Sequence, residues 1–375
     1  MKTVLLRLAG FVVLPLFTLV IPLILLPTIS QIVGESGVSS VVSGQAIGVF
    51  ASTVILWNWN FDGPVAVARA SSDRDRAETY AQSLHSRLAL SVVVAPIAGV
   101  VAALVAVPGF ASQAVAMALA YALAGLSPAW FCIGLAQPRL LALYDTLPRV
   151  AATVLTVPLL LITGEVWTYP VALLLATAVA LAAFWRRIGG EVRRLPRASR
   201  RARQSVWGGR HSAAINVTGN AYASTPVPIA TATADPIASG SLSAGDTLYR
   251  FGLFTVVALG NAFQSWVIEP GASQPLRRQL AAITSHVILG LVGLAIIVMA
   301  GPWVSHLLFA GQATATTRIC FYYGLAFFFI SASTPLMRNI LIPAGRQPLI
   351  LWWTFTAALL GLALLAGVDA QPGRM

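Results

Sequence analysis

The chain contains 375 residues, of which 57% are hydrophobic and only 10% are charged. Soluble globular domains are about 45–50% apolar and about 25% charged, so this composition excludes an ordinary water-soluble fold. The formal net charge of +12 could suggest a nucleic-acid partner, but the placement of the basic residues, described below, indicates membrane topology. Both cysteines, Cys132 and Cys320, lie inside apolar runs with no metal-ligand spacing around them. We therefore expect an all-α polytopic membrane protein with neither a metal site nor a cofactor.

Apolar segments of about 20 residues follow one another along the chain, which is the length that a helix needs to cross a hydrocarbon core of about 30 Å. The strands of a membrane β-barrel would be shorter and would alternate in polarity. The pattern predicts about eleven transmembrane helices. They are expected near residues 9–33, 39–61, 88–108, 113–135, 141–163, 166–185, 213–238, 247–268, 281–308, 318–341 and 349–367.

The basic residues sort to one side of this pattern. If the N-terminus is cytoplasmic, nearly all of the 24 lysines and arginines fall in the cytoplasmic segments, and the exceptions are Arg250, Arg318 and Arg374. Cytoplasmic loops of membrane proteins carry such an excess of positive charge. The sequence therefore predicts a multi-pass protein of the bacterial cytoplasmic membrane with its N-terminus in the cytoplasm.

The longest cytoplasmic segment is rich in arginine and suggests a division of the chain. It predicts an N-terminal six-helix lobe at 1–185, a basic linker at 186–212, and a C-terminal lobe of about five helices at 213–375 that is apparently one helix short. The linker could bind anionic membrane lipids or could be a solvated loop that sets topology. Nucleic acid is not an expected partner, because no aromatic stacking platform accompanies the arginines.

The segment 213–238 is too polar for a helix that faces lipid. It carries Asn216, Asn220, Pro226, Pro228 and Asp235, and such a segment is tolerated only when it is buried in protein or lines a water-filled cavity. Asn216 and Asn220 are four residues apart and share a helix face. Their amides could therefore bind sugar hydroxyls or form hydrogen bonds between helices.

Two pairs of opposite charges lie near predicted helix ends. Asp62 and Arg69 follow the second span, beyond Trp57 and Trp59, which we interpret as anchors at the membrane interface. Asp246 and Arg250 are four residues apart at the start of the eighth span. This spacing fits a local ion pair, but a pair linked to proton or substrate movement would have the same spacing.

Four stretches taken together resemble bacterial polysaccharide flippases of the Wzx type, in the MOP superfamily that also contains the MATE exporters. The first stretch is 26–52, and the second is NWNFDGPVAVARA at 58–70 with DRDRAETYAQSLHSR after it. The third, LAGLSPAWFCIGLAQP at 123–138, is similar to a P-x-W-F-x-x-G-L signature, although Ala136 replaces a common glutamate. The fourth is SLSAGDTLYRFG at 241–252.

The resemblance implies two helical lobes around a cationic cavity with alternating access. The expected substrate is a polyprenyl-pyrophosphate-linked oligosaccharide, flipped for cell-surface polysaccharide or O-antigen assembly, with glycan-assembly machinery as a partner. Arginine suits pyrophosphate because its planar fork binds phosphate oxygens in pairs. The candidate substrate-cavity residues are Arg69, Arg250, Arg318, Arg338, Asn216, Asn220, Asn261 and Gln264. The candidates for coupling to an ion are Asp62, Asp235 and Asp246.

Three alternatives remain at this stage. A drug or metabolite exporter of the MATE kind would have the same fold. A membrane glycosyltransferase or polymerase would need a sizeable outer loop, and every predicted outer loop is short. The third is a membrane protein that does not transport. The histidines are dispersed, and the sequence contains neither an H-E-x-x-H nor a G-x-S-x-G motif, so an enzyme is not expected.

Overall fold

The computed structural model describes the backbone of residues 2–192, 206–267 and 274–341, together with parts of 344–360. Within these ranges, side chains are described from Leu25 onward except at 189–192, 211, 215, 222, 261–262 and 264–266. The described residues form helices and turns without a strand. The chain divides into two compact units, Met1–Ala232 and Thr233–Met375.

The first unit consists of a series of helices joined by short turns. Its long helices are α1 (Lys2–Leu56), α3 (Asp73–Val105), α4 (Ala111–Leu123), α7 (Leu147–Thr163) and α8 (Thr168–Val192). Shorter helices lie between or after them: α2 (Asp62–Arg69), α5 (Ala129–Gly134), α6 (Pro138–Leu141), α9 (Arg210–Ser224) and α10 (Pro226–Thr233). A π-helical turn over Ala142–Thr146 joins α6 to α7.

Among its described residues, the second unit contains three long helices, α11 (Pro236–Val267), α12 (Pro275–Leu308) and α13 (Thr317–Pro335). A π-helical turn, Leu336–Leu341, extends α13. Of the last predicted span, 349–367, only a few helical residues up to 360 are described. The lobe boundaries at residues 185 and 213 stay predictions. In the structure, the segment 206–232, which begins within the predicted linker, belongs to the first unit.

Seven of the described helical segments are long and apolar enough to cross a membrane. They are Leu25–Leu56, Asp73–Val105, Ala111–Gly134, Pro138–Thr163, Thr168–Ile188, Pro275–Leu308 and Thr317–Leu341. The prediction of an all-α multi-pass membrane protein is therefore confirmed.

The helix α1 covers the first two predicted spans and breaks between them. At the break, Gly34 has φ 65° and ψ −176°, a backbone conformation that only glycine adopts without strain. The predicted proline-broken helix at 213–238 is also present as separate pieces. The helix α9 ends at Ser224, α10 begins at Pro226, and α11 begins at Pro236. The helix α11 thus begins well before residue 247, where the eighth span was expected.

Small residues allow the helices to approach one another closely. Gly44 and Gly48 of α1 lie against the backbone of α4 at Ala114 and Ala118, where a Cβ atom on either glycine would collide with the Ala114 or Ala118 carbonyl. The sequence GQAIG at residues 44–48 is therefore a helix-packing motif of the small-xxx-small type. Glycines of α12, including Gly290 and Gly301, form a similar close contact with α13.

We predict opposite effects for two Gly→Ala substitutions in the first unit. Gly44→Ala should lower the free energy of unfolding by about 1–3 kcal/mol, because the new methyl group overlaps the backbone of α4. Gly219→Ala should be neutral or should stabilise by up to about 1 kcal/mol, because no atom lies within 4 Å of its added Cβ and alanine favours the helix. Thermal unfolding of the purified variants in detergent measures both changes. Equal melting temperatures would contradict the close α1–α4 contact.

Candidate functional site

In the first unit, a cluster of polar side chains surrounds the turn that follows α1. The helix ends after Leu56 because Trp57 takes a left-handed conformation with φ 55°. The indole of Trp57 donates a hydrogen bond of 2.9 Å to the carbonyl of Val206, just before α9. The chain then turns through buried Asn58 into α2, which begins at Asp62. The turn after α1 is therefore tied to the end of the predicted linker.

Asp62 accepts hydrogen bonds from two different elements. The amide of Asn58 donates to it at 2.9 Å, and the hydroxyl of Ser212 on α9 donates to it at 3.1 Å. Its position in the first turn of α2 also suits a negative charge, because the helix N-terminus carries a partial positive charge. Arg69 is exposed at the other end of α2 and has no ion pair within the described residues. The structure therefore does not bring Asp62 and Arg69 together.

Asn216 and Asn220 share one face of α9, as predicted, and bond to each other. The Asn220 amide donates to the side-chain oxygen of Asn216 at 3.1 Å and to the Asn216 carbonyl at 3.0 Å. The buried Asn216 amide also donates to the Trp57 carbonyl at 3.4 Å. At least part of the hydrogen-bonding capacity of Asn216 is thus used between helices. Asn220 is half-buried, and a role for either residue in sugar binding stays a prediction.

An apolar groove runs beside the break between α9 and α10. Its volume is about 290 Å³, and it lies between α1, α3 and the α9–α10 segment. The surface that lines the groove is almost entirely apolar. The hydroxyl of Thr225, one of the lining residues, donates a hydrogen bond of 2.5 Å to the Ala221 carbonyl of its own helix. The groove is lined by Ile47, Phe50, Ala51, Val54, Val94, Ile97, Ala98, Val101, Ala221, Ser224, Thr225 and Pro228.

In the second unit, Asp246 and Arg250 form the predicted ion pair. The Arg250 Nε atom lies 2.5 Å from an Asp246 carboxylate oxygen, and the Tyr323 hydroxyl on α13 bonds to the same carboxylate. Asp246 is only 3% exposed, whereas about a third of the Arg250 side chain is accessible. A side chain at Gly245 would collide with Ile319 and Tyr323, so the close approach of α11 and α13 brings this group together.

The remaining predicted residues of the second unit occupy other positions on its helices. Arg318 is exposed in the first turn of α13. Arg338 is half-buried in the π-helical turn, with its guanidinium directly over Gly260. Asp235 is exposed and caps α11, because its carboxylate accepts the backbone N–H groups of Ile237 and Ala238 at 3.0 Å. Two further candidates lie outside the described side chains, namely Asn261 and Gln264.

The sequence analysis missed a polar cluster near the PAWFCIG motif. Asp145, in the π-helical turn, accepts hydrogen bonds from the Ser127 hydroxyl at 2.5 Å and from Arg149 at 2.7 Å. π-Helical turns inside helices occur frequently at functional sites. The Asp145/Arg149 spacing of four residues was a signal that could have identified the pair. Within the described residues, no group of histidine, cysteine and acidic side chains could hold a metal ion.

Aromatic side chains fill the space beside this cluster. Trp59 and Trp130 are buried, with their rings 5.3 Å apart, and Tyr80, Phe131 and Phe184 complete the group. The indole of Trp59 donates to the Ser86 hydroxyl at 3.0 Å. The interpretation of Trp59 as an interfacial anchor was therefore wrong. The PAWF motif supplies two members of the core of the first unit.

One solved structure similar to this chain is described as the inward-facing conformation of a multidrug resistance MATE family transporter of the MOP superfamily. The TM-score is 0.50 at 14% sequence identity, and the match covers 95% of this chain and 94% of the other. A comparison with protein-family models finds no match, and a comparison with curated proteins finds none either. The chain thus has the fold of a MOP-superfamily transporter.

We predict that Asp246 and Arg250 are strongly coupled in a double-mutant cycle. Arg250→Met should cost about 3 kcal/mol, because it leaves a buried carboxylate without its cation. The double variant Asp246→Leu/Arg250→Met should lose less than the sum of the single variants. The exposed pair Asp73–Arg76 serves as the control, since such pairs contribute about 0.2–1 kcal/mol. Additive losses at Asp246 and Arg250, measured by thermal unfolding, would contradict the coupling.

Proposed function

We propose that this protein flips a polyprenyl-pyrophosphate-linked oligosaccharide across the bacterial cytoplasmic membrane, as Wzx-type flippases do. The substrate would serve cell-surface polysaccharide assembly and would pass to the glycan-assembly machinery. In this proposal the N-terminus is cytoplasmic, and the sugar crosses through a polar cavity. The lipid tail stays in contact with the bilayer. The transporter fold supports movement of a substrate, and the apolar groove of the first unit supports a lipid tail as part of that substrate.

The groove has the properties expected of a site for a hydrocarbon chain. Sites for whole small molecules occupy about 300–1,000 Å³ and place a few polar groups to orient the ligand. The groove has a volume of about 290 Å³ and almost purely apolar walls. Lipid tails are as apolar as leucine, so a chain that moves from the bilayer into the groove gains or loses little hydrophobic free energy. Such a surface would guide an isoprenoid tail and would let it slide.

Arginines at helix ends supply candidates for the pyrophosphate. Arg318 is exposed and has no acidic partner among the described residues, so its five donors are available for phosphate oxygens. Arg250 is bonded to Asp246, but about a third of its side chain is accessible. An inside-negative potential would also favour outward movement of the anion by about 2.3 kcal/mol per charge per 100 mV. Asp62, Asp235 and Asp246 stay candidates for ion coupling, although each already accepts hydrogen bonds.

A second candidate function is export of a drug or metabolite. The likeness to a structure described as a multidrug resistance MATE family transporter favours it. The groove in the first unit argues against a typical drug site, because a compact ligand would find no polar group there to fix its orientation. The two functions therefore differ in the substrate that the groove should accept. Substitutions that fill the groove with a larger side chain distinguish between them.

We predict that filling the groove slows flipping. Val54→Trp and Val94→Trp place an indole in the groove and should reduce the flipping rate about tenfold, which corresponds to about 1.4 kcal/mol. The matched control is Leu104→Trp, on the same helix as Val94, whose side chain is 80% exposed and does not line the groove. The assay measures the lipid-linked oligosaccharide that remains on the cytoplasmic leaflet of cells relying on this protein.

Normal flipping in both groove variants would contradict the assignment of the lipid tail to this surface. If the wild-type protein does not flip the lipid-linked oligosaccharide but does reduce the cellular content of a cationic dye, the exporter is the correct function.

We predict that Arg318 contributes to anion attraction. Arg318→Lys keeps the charge but loses the bidentate fork and should slow flipping several-fold. Arg318→Ala should be slower still. Arg210→Ala is the control, because Arg210 is exposed and donates only to the Trp207 carbonyl among the described contacts. A normal flipping rate in the Arg318→Ala protein would remove this residue from the substrate site.

A further inference from the structure

The first unit contains a guanidinium that is completely buried and forms no ion pair with a carboxylate among the described residues. Arg87 of α3 is 0% exposed. One of its terminal nitrogens donates to the carbonyl of Gly125 at 3.0 Å and to the carbonyl of Ser127 at 2.8 Å. No acidic side chain forms an ion pair with it among the described residues. Asp145, which bonds to the Ser127 hydroxyl, is already paired with Arg149.

Further hydrogen-bonding groups around Arg87 also lack partners. Its own Nε and second terminal nitrogen form no hydrogen bond with any described residue, and the same holds for the Tyr80 hydroxyl, the Ser83 hydroxyl and the Trp130 indole N–H. All four side chains are at least 98% buried. Ser83 lies one helical turn from Arg87, and Tyr80 lies almost two turns away, so all three share one face of α3. The Arg87 guanidinium lies 5.7 Å from the Trp130 ring centre, and the Tyr80 and Trp130 rings are 6.4 Å apart.

The hydrogen-bonding character of these groups indicates which kind of partner they need. Each can donate a hydrogen bond, and the Arg87 and Trp130 nitrogens can only donate. A buried charge is stable only when it is paired, and the carbonyl contacts together with the cation–π contact to Trp130 compensate it in part. The missing group must therefore accept several hydrogen bonds and carry negative charge. It must also be small, because all four side chains are buried from solvent.

We infer that Tyr80, Ser83, Arg87 and Trp130 form a buried site for a small monovalent anion of the chloride class. The anion neutralises Arg87 and is taken up when the first unit folds. Arg87 holds the carbonyls at the end of α4, so the anion stabilises the junction of α3, α4 and α5. A pyrophosphate group is too large for this enclosed site. The inference is therefore independent of the proposed function.

Halide-dependent unfolding tests the inference. The full chain is purified in detergent, and its melting temperature is measured in sodium chloride, sodium bromide and sodium gluconate at equal ionic strength. Binding to the folded state alone raises the melting temperature in a saturable way. We expect chloride and bromide, but not gluconate, to produce this rise. In crystals grown with bromide, an anomalous scattering peak is expected beside the Arg87 guanidinium.

Two conservative variants and a control separate a specific site from a general salt effect. Ser83→Ala and Tyr80→Phe each remove one donor and retain Arg87, and each should raise the halide concentration at half-saturation at least tenfold. Ser91→Ala is the control, because Ser91 lies on the same helix and is buried, but its hydroxyl already bonds to the Leu88 carbonyl. Its halide response should equal that of the wild-type protein. Equal melting temperatures in chloride and gluconate would overturn the inference and would indicate water at the site. An unchanged halide response in both Ser83→Ala and Tyr80→Phe would also overturn it.

Discussion

The fold depends on one constraint, which is that every helix break at membrane depth must find hydrogen-bond partners within the protein. Lipid offers none, so an unsatisfied backbone group there costs several kcal/mol. At the junction of α4 and α5, Arg87 bonds to the carbonyls of Gly125 and Ser127. The Ser127 hydroxyl meanwhile accepts the N–H of Ala129 at 3.1 Å. The buried guanidinium thereby supplies hydrogen bonds to the carbonyl groups that the helix break leaves exposed. Its own positive charge must then be compensated within the protein.

The same constraint explains how the polar segment that follows the basic linker is accommodated. The Thr231 hydroxyl bonds to the Ser43 hydroxyl at 2.6 Å, within the first unit. Nearer the start of α9, Asn216 bonds to the carbonyl that Trp57 exposes where α1 ends. The Thr225 hydroxyl donates to the Ala221 carbonyl of its own helix. The groove beside this segment can therefore be apolar although the sequence around it is not.

Sequence analysis identified the features that depend on average hydropathy, and it missed those that depend on particular partners. Lipid burial requires long apolar runs, so most spans could be predicted from composition alone. The early start of α11 could not, because Ser241 and Ser243 lower the hydropathy of a segment whose hydroxyls bond to the Thr314 and Ser239 carbonyls. The sequence analysis counted Arg87 among the charges that set the membrane topology, because the residues around it in the sequence do not indicate that it bonds to the Gly125 and Ser127 carbonyls. The Asp246–Arg250 pair was predictable because both partners lie on one helix.

A transporter fold restricts the mechanism more than it restricts the substrate. In the first unit, the buried aromatic cluster around Trp130 and Tyr80 forms a packed core. Under the proposed function, substrate choice depends on surfaces that lie outside this aromatic core. The groove wall near Val54 and Val94 and the exposed guanidinium of Arg318 belong to this class. Because such surfaces lie outside the aromatic core, they can differ between proteins that share this fold. The proposed lipid-linked substrate therefore depends on two separate features, the apolar groove of the first unit and, in the second unit, the Arg318 guanidinium, which has no acidic partner among the described residues.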